Sequence, residues 1–236
     1  MACDLHGNRA CFRNVPIFKD LTAEEAERLA ETVRSKRYKK GEIVFREGEK
    51  SETLFVLNEG TVKISKMSDT GKEQILRILF PGDFFGLSSM LHDKTHYANA
   101  EVLDPAVICF IKKQDFRKMM ERNPKLAYRV LLAVSERLEQ TDEWLGTISL
   151  MEADRRLAKL LLLFYEKNGA QTVMRLPAQK KELAAFLGIT PETLSRKLAR
   201  FEEKGLLELN RNSIIVRRPE LLRKYAGCRE TADRPL

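Results

Sequence analysis

The chain has 236 residues, a length that suits two domains better than one or three. Hydrophobic residues make up 43% and charged residues 32%, which excludes a disordered or fibrous chain. The formal net charge of +8 favours a polyanionic partner, either nucleic acid or an anionic membrane face, but no apolar run approaches the roughly 18 residues that span a bilayer.

The leader MACDLHGNRACFRN lacks the apolar stretch of a signal peptide, so a cytoplasmic protein without membrane attachment is expected. In that compartment cysteines are expected as thiols or ligands rather than structural disulfides. The four are Cys3, Cys11, Cys109 and Cys228. After the leader, Thr22-Ala23-Glu24-Glu25 has the capping-box pattern, and Leu21, Ala26, Leu29, Ala30 and Val33 follow at helical spacing. A helix is expected from about Thr22 to Arg34.

From Tyr38 to Ile111 short apolar runs alternate with glycines: Ile43–Phe45, Leu54–Leu57, Val62–Ile64, Ile75–Leu79 and Ala106–Ile111. Short strands separated by turn residues point to a sandwich or small barrel. Helical periodicity returns near Asp115, and Asn123-Pro124 marks the start of a long helix to about Leu150. On it Val130, Val134, Leu138, Thr141, Leu145 and Ile148 form one stripe at steps of three and four. Two readings fit: packing on its own domain, or a two-stranded dimer interface. The length of the stripe and its place between two domains favour the dimer. A further helix is expected from Asp154 to Lys167, closed by Asn168-Gly169.

The most informative stretch runs from Leu176 to Val216. A short helix is expected over Gln179–Leu187, a turn at Gly188, then a second helix with Thr190 as N-cap and Pro191 in its first position. That helix reaches Lys204, and Gly205 closes it. Two short helices joined by a glycine turn fit a helix-turn-helix. Leu206–Leu209 and Ile214–Val216, flanking Asn210-Arg211-Asn212, fit the hairpin of a wing. At about 100° per residue, Leu194, Leu198 and Phe201 share a narrow buried face while Glu192, Arg196 and Ala199 point away, flanked by Ser195 and Arg200. Arginine can donate a fork to guanine and glutamate can accept from cytosine. Lys180 and Lys181 can contact phosphate. A solvated helix face would explain the charges but not the cap, the turn glycine and the wing together.

From Val15 to Ile215 the chain resembles the CRP/FNR family of bacterial regulators. GEIVFREGEKSETLFVLNEGTVKI followed by PGDFFG looks like a cyclic-nucleotide-binding domain, the long helix like the family's dimerisation helix, and the C-terminal part like its winged helix. The resemblance implies an α+β chain. Its parts are a leader (1–14), an effector-sensing jelly-roll barrel (15–123), a dimerisation helix (124–151), a winged helix-turn-helix (152–222) and a tail (223–236). It implies a homodimer on a pseudo-palindromic operator in double-stranded DNA, with RNA polymerase as a further partner for an activator. Glu192-Thr193-Leu194-Ser195-Arg196 is similar to the E-x-x-S-R pattern of the FNR branch, which implies that Glu192, Ser195 and Arg196 contact a TTGAT-like half-site. Thr190, Lys180 and Arg200 complete the expected contact set.

The resemblance places the effector pocket around Gly86, Leu87, Ser88, His96 and Tyr97. Cyclic-AMP-binding relatives carry a glutamate where Leu87 stands and an arginine near His96. Neither an apolar side chain nor a mostly neutral imidazole replaces them, so cyclic AMP is not the expected ligand. The FNR branch also implies an oxygen-labile iron–sulfur cluster, held by clustered N-terminal cysteines and one barrel cysteine. Cys109 falls at the barrel position, and Cys3 and Cys11 lie in the leader. The leader lacks a C-x-x-C pair, so His6 or Cys228 would have to complete the four ligands such clusters normally use. A thiol redox switch and unliganded thiols remain open beside the cluster. His92 and His96 lie four apart in a loop and read as surface histidines. No nucleophile elbow, P-loop or dinucleotide fingerprint is present, and three histidines do not make a cupin-type metal enzyme. The expected function is therefore regulation, not catalysis.

Overall fold

The computed structural model describes residues 15–19, 21–210 and 213–227. They form an α+β chain in two compact units, the first ending at Arg137 and the second beginning at Leu138. In the first unit, helix α1 (Ala23–Thr32) starts at the expected box: the Thr22 hydroxyl accepts from the Glu25 N–H at 3.2 Å, and Glu25 Oε2 accepts from the Thr22 N–H at 2.8 Å.

Strands β1 (Arg34–Tyr38), β2 (Ile43–Phe45), β3 (Thr53–Met67), β4 (Glu73–Leu79), β5 (Phe84–Phe85) and β6 (Asn99–Lys112) form one antiparallel sheet. Its path is β1-β6-β3-β4, with β2 on β6 and β5 on β3. The two expected runs at residues 54–57 and 62–64 are a single strand, β3, which stays paired with β6 through register shifts around Glu59 and Thr61. Strand alternation divides the apolar residues into two cores. Phe45, Leu57, Val62, Ile64, Leu79, Phe85 and Ile108 fill the barrel interior. Leu54, Val56, Cys109 and Ile111 face the other way, onto Val15, Ile17, Phe18, Leu29, Phe116 and Val130 from the segments that flank the sheet.

After the short α2 (Leu87–Leu91) and α3 (Lys113–Arg122), helix α4 (Pro124–Leu150) runs out of the first unit and into the second. The second unit continues with α5 (Ala153–Lys167), β7 (Val173–Arg175), α6 (Lys180–Leu187), α7 (Pro191–Glu203), β8 (Leu207–Leu209), β9 (Ser213–Val216) and α8 (Pro219–Ala226). Its three strands lie in the order β7-β9-β8, all antiparallel. The wing hairpin is thus β8–β9, extended by a third strand, β7. The tip residues 211 and 212 lie outside the described residues. Among the described residues, no helix is long and apolar enough to cross a membrane.

Candidate nucleic-acid interface and sensor core

The reader is built by local chemistry. Gly188 closes α6 at φ +67°, a left-handed conformation that costs glycine nothing, and turns the chain toward α7. The Thr190 hydroxyl accepts from the Thr193 N–H at 3.2 Å, so α7 begins with a satisfied cap. Leu194, Leu198 and Phe201 are buried beneath it. Glu192, Ser195, Arg196, Ala199 and Arg200 are exposed, as are Lys180 and Lys181 in the first turn of α6. The Glu192 carboxyl is held below the usual carboxylate range, first by its own backbone N–H and then by the Thr190 hydroxyl, so it is an acceptor at neutral pH. Arg196 Nη2 touches Thr193 Oγ1 only at 3.4 Å, leaving its fork facing solvent.

Two expected contact residues have structural duties. The Thr190 hydroxyl is engaged in the cap. Arg200 Nη1 lies 3.3 Å from Asp154 Oδ2, and Lys197 Nζ lies 2.7 Å from Asp154 Oδ1. The carboxylate of Asp154, on α5, therefore braces α7 from behind. Sequence reasoning missed this pair, because Asp154 reads as an ordinary first-turn acid. It also missed the stack of Trp144, on α4, against Phe186, on α6: the rings are 4.4 Å apart and 12° from parallel.

On α4 the expected stripe needs one correction. Val130 is 5% exposed and belongs to the core between the sheet and its flanking segments. Val134, Leu138, Thr141 and Leu145 are exposed and Ile148 is half-buried. Tyr128 and Leu131, unread in the sequence, extend the exposed apolar face toward the helix start.

The expected effector residues do not converge. Gly86 has φ +82°, and a Cβ there would fall 2.9 Å from the Thr53 carbonyl oxygen, so it is a backbone requirement of the β3–α2 contact. Leu87 packs in the core on the far side of the sheet, not in the barrel interior. Ser88 and Tyr97 are exposed. His96 is 4% exposed, which corrects its reading as a surface histidine. Its ring stacks on Phe45 with centroids 3.6 Å apart, and burial holds its pKa below the ordinary value. A neutral, stacked imidazole does not pair with a cyclic phosphate, and Leu87 is turned away from any ribose, so these residues do not fit a cyclic nucleotide.

Cys109 is fully buried on β6 and is disulfide-bonded, which corrects the expectation of thiols or ligands at this position. Its neighbours in that core include Val15, where the leader joins the fold. His6, Cys3, Cys11 and Cys228, the other candidates for a cluster, lie outside the described residues. Among the described residues no group of three or more His, Cys, Asp or Glu side chains could hold a metal ion.

Comparison with known proteins agrees with this division of labour. Residues 35–123 match the Cyclic nucleotide-binding domain family, and residues 155–225 match the Crp-like helix-turn-helix domain family. Electron transport regulator A of Shewanella oneidensis is 28% identical over 219 residues, covering 91% of this chain and 87% of that protein. Transcriptional activator protein anr of Pseudomonas aeruginosa is 29% identical over 201 residues, covering 83% of this chain and 82% of that protein. In fold the chain is similar to FixK2 from Bradyrhizobium japonicum, with a TM-score of 0.77 at 24% identity, over 82% of this chain and 96% of that one. A barrel of the cyclic-nucleotide-binding type, joined through a long helix to a capped helix-turn-helix and its wing, makes this chain a DNA-binding transcription regulator of the CRP/FNR family, not an enzyme.

Proposed function

We propose that two copies of this chain pair along α4 and read a pseudo-palindromic operator, with TTGAT-like half-sites about one helical turn apart. The observation that carries the pairing is the exposed apolar face of Leu131, Val134, Leu138 and Leu145, on a helix whose opposite side is covered by its own unit. In this reading residues 15–123 sense, 124–151 dimerise and 152–222 read DNA. The leader (1–14) and tail (223–236) flank them. Glu192, Ser195 and Arg196 contact base edges, in the order that marks the FNR branch, and Lys180 contacts phosphate. The protein works in the cytoplasm, without membrane attachment, and meets RNA polymerase where it activates.

Binding to a randomised operator library, selected and sequenced, tests the reading. Arg196→Ala is expected to cost about 1–3 kcal/mol and to relax preference at one base position per half-site. An equal loss on all sequences would remove Arg196 from base recognition.

The signal in this reading is other than cyclic AMP. A chemical effector taken by the barrel is the first reading. Redox sensing is the second, and the disulfide at Cys109 favours it. In the disulfide state the Cys109 sulfur is not a thiolate, so an iron–sulfur cluster at this position requires prior reduction. Anaerobic purification separates the cases. A chromophore that bleaches in air supports the cluster. A colourless protein whose operator affinity changes with dithiothreitol supports a thiol switch. A colourless protein indifferent to both oxygen and reductant leaves the barrel effector.

A further inference from the structure

Strand β4 pairs with β3 so that Leu79 lies opposite Val62 and Arg77 opposite Ile64. Val62, Ile64 and Leu79 are all part of the barrel interior. Directly opposite residues of an antiparallel pair share a face, so Arg77 projects inward, among aliphatic and aromatic side chains. Its Nη1 is shielded from solvent and, among the described residues, has no hydrogen-bond partner. Arginine does not shed its proton, so burial leaves an unmatched cation rather than a neutral group. Burial depresses its pKa, with the carboxylate of Asp83 and then Tyr97 acting the other way. Asp83 is only a partial counter-charge, because its Oδ2 accepts from the Phe80 N–H at 2.8 Å. Tyr97 is 52% exposed, so the guanidinium has a neighbour that reaches solvent.

The other buried cation of the barrel shows the contrast. Lys63 is as enclosed as a core residue, but its ammonium lies 2.7 Å from Glu73 and 3.1 Å from Glu101. That charge is fully answered by the protein. The charge of Arg77 is not, and a planar fork with an open N–H is suited to two anionic oxygens.

We propose that Arg77 anchors an effector site inside the barrel, where its guanidinium takes the carboxylate or phosphate oxygens of a small organic anion. The proposal rests on reading the barrel as the sensing unit, and it is independent of which operator the dimer reads. The ligand class follows from the fork and the low-polarity surroundings: a compact anion with an apolar body. Binding stabilises the folded chain by mass action, in proportion to its occupancy.

Scanning calorimetry of the full-length protein tests it, with succinate and inorganic phosphate as probes and ionic strength held constant with sodium chloride. The wild type is expected to show a saturable rise in Tm with one probe, which separates a carboxylate site from a phosphate site. Arg77→Met is expected to melt at or above the wild-type temperature without probe and to lose the rise. Arg77→Lys, which keeps the charge but not the fork, is expected to respond at least tenfold more weakly. A wild type indifferent to both probes means that water completes the guanidinium, and overturns the site. So does an Arg77→Met response equal to wild type, or an Arg77→Lys response undiminished. Operator binding by Arg77→Met, measured without anion, keeps the two proposals apart: retained binding with the probe response lost supports the site, and retained binding with the response intact overturns it while leaving the DNA reading in place.

Discussion

His96 lies face to face with Phe45 and near Phe55, which leaves little of the hydration an imidazolium needs. The one charged group that offsets the burial is Glu49. The sign of the pH effect follows. Between the ordinary histidine value of 6.5 and the lower folded value, the unfolded chain binds a proton that the folded chain does not, so stability is complete above that window and falls as pH drops through it. The loss is at most about 1.4 kcal/mol per pH unit. His96→Gln is expected to flatten the fall in urea midpoint between about pH 6.5 and 5 relative to wild type. An unchanged slope would mean that His96 is already hydrated in the folded state. Lys63 behaves in the opposite sense. Burial lowers its pKa, but the hydrogen bonds from Glu73 and Glu101 outweigh burial and raise it overall, so that ion cluster persists through the physiological range and is lost only in strong alkali. Neither environment was legible in the sequence. Each depends on which face of a bulged strand the residue takes, and a one-residue shift reverses the faces.

Among the elements, α4 carries the next expectation. Leu138 is 63% exposed, so Leu138→Lys does not open a cavity in the monomer. It is expected to convert a dimer to monomers in sedimentation equilibrium and to lower operator affinity at least tenfold, because two half-sites no longer bind as one unit. A persistent dimer would place the interface elsewhere. The stripe itself was legible as a periodicity, but periodicity does not say what covers it. Val130 keeps the spacing yet is covered by the barrel unit, while Tyr128 and Leu131 lie on the free side. The helix-turn-helix was legible nearly to the residue, since its cap at Thr190, its turn at Gly188 and its buried face are all set by neighbours within a few positions. Strand β1 was not, because Arg34–Tyr38 reads as charged sequence and pairs only at the sheet edge with β6. The brace from Asp154 to Lys197 spans 43 positions and leaves no local trace.

At the scale of the whole molecule, the division at Arg137 and Leu138 separates two cores, joined by one continuous helix. The sequence holds a single tryptophan, Trp144, on the second unit's side of that division. It is stacked on Phe186 of the reader, and among the described residues its indole N–H is buried without a partner. An indole in so dry a place emits at short wavelength, and water reaching the stack moves the emission to the red. Unfolding followed by this emission reports the second unit alone, whereas far-ultraviolet circular dichroism sums both, so the two urea transitions are expected not to coincide. Coincident curves would show one cooperative unit. The same stack gives the protein an optical gauge of its own: any event that loosens the junction between the long helix and the DNA reader, whether ligand uptake, reduction or operator contact, is written in the colour of one residue's fluorescence.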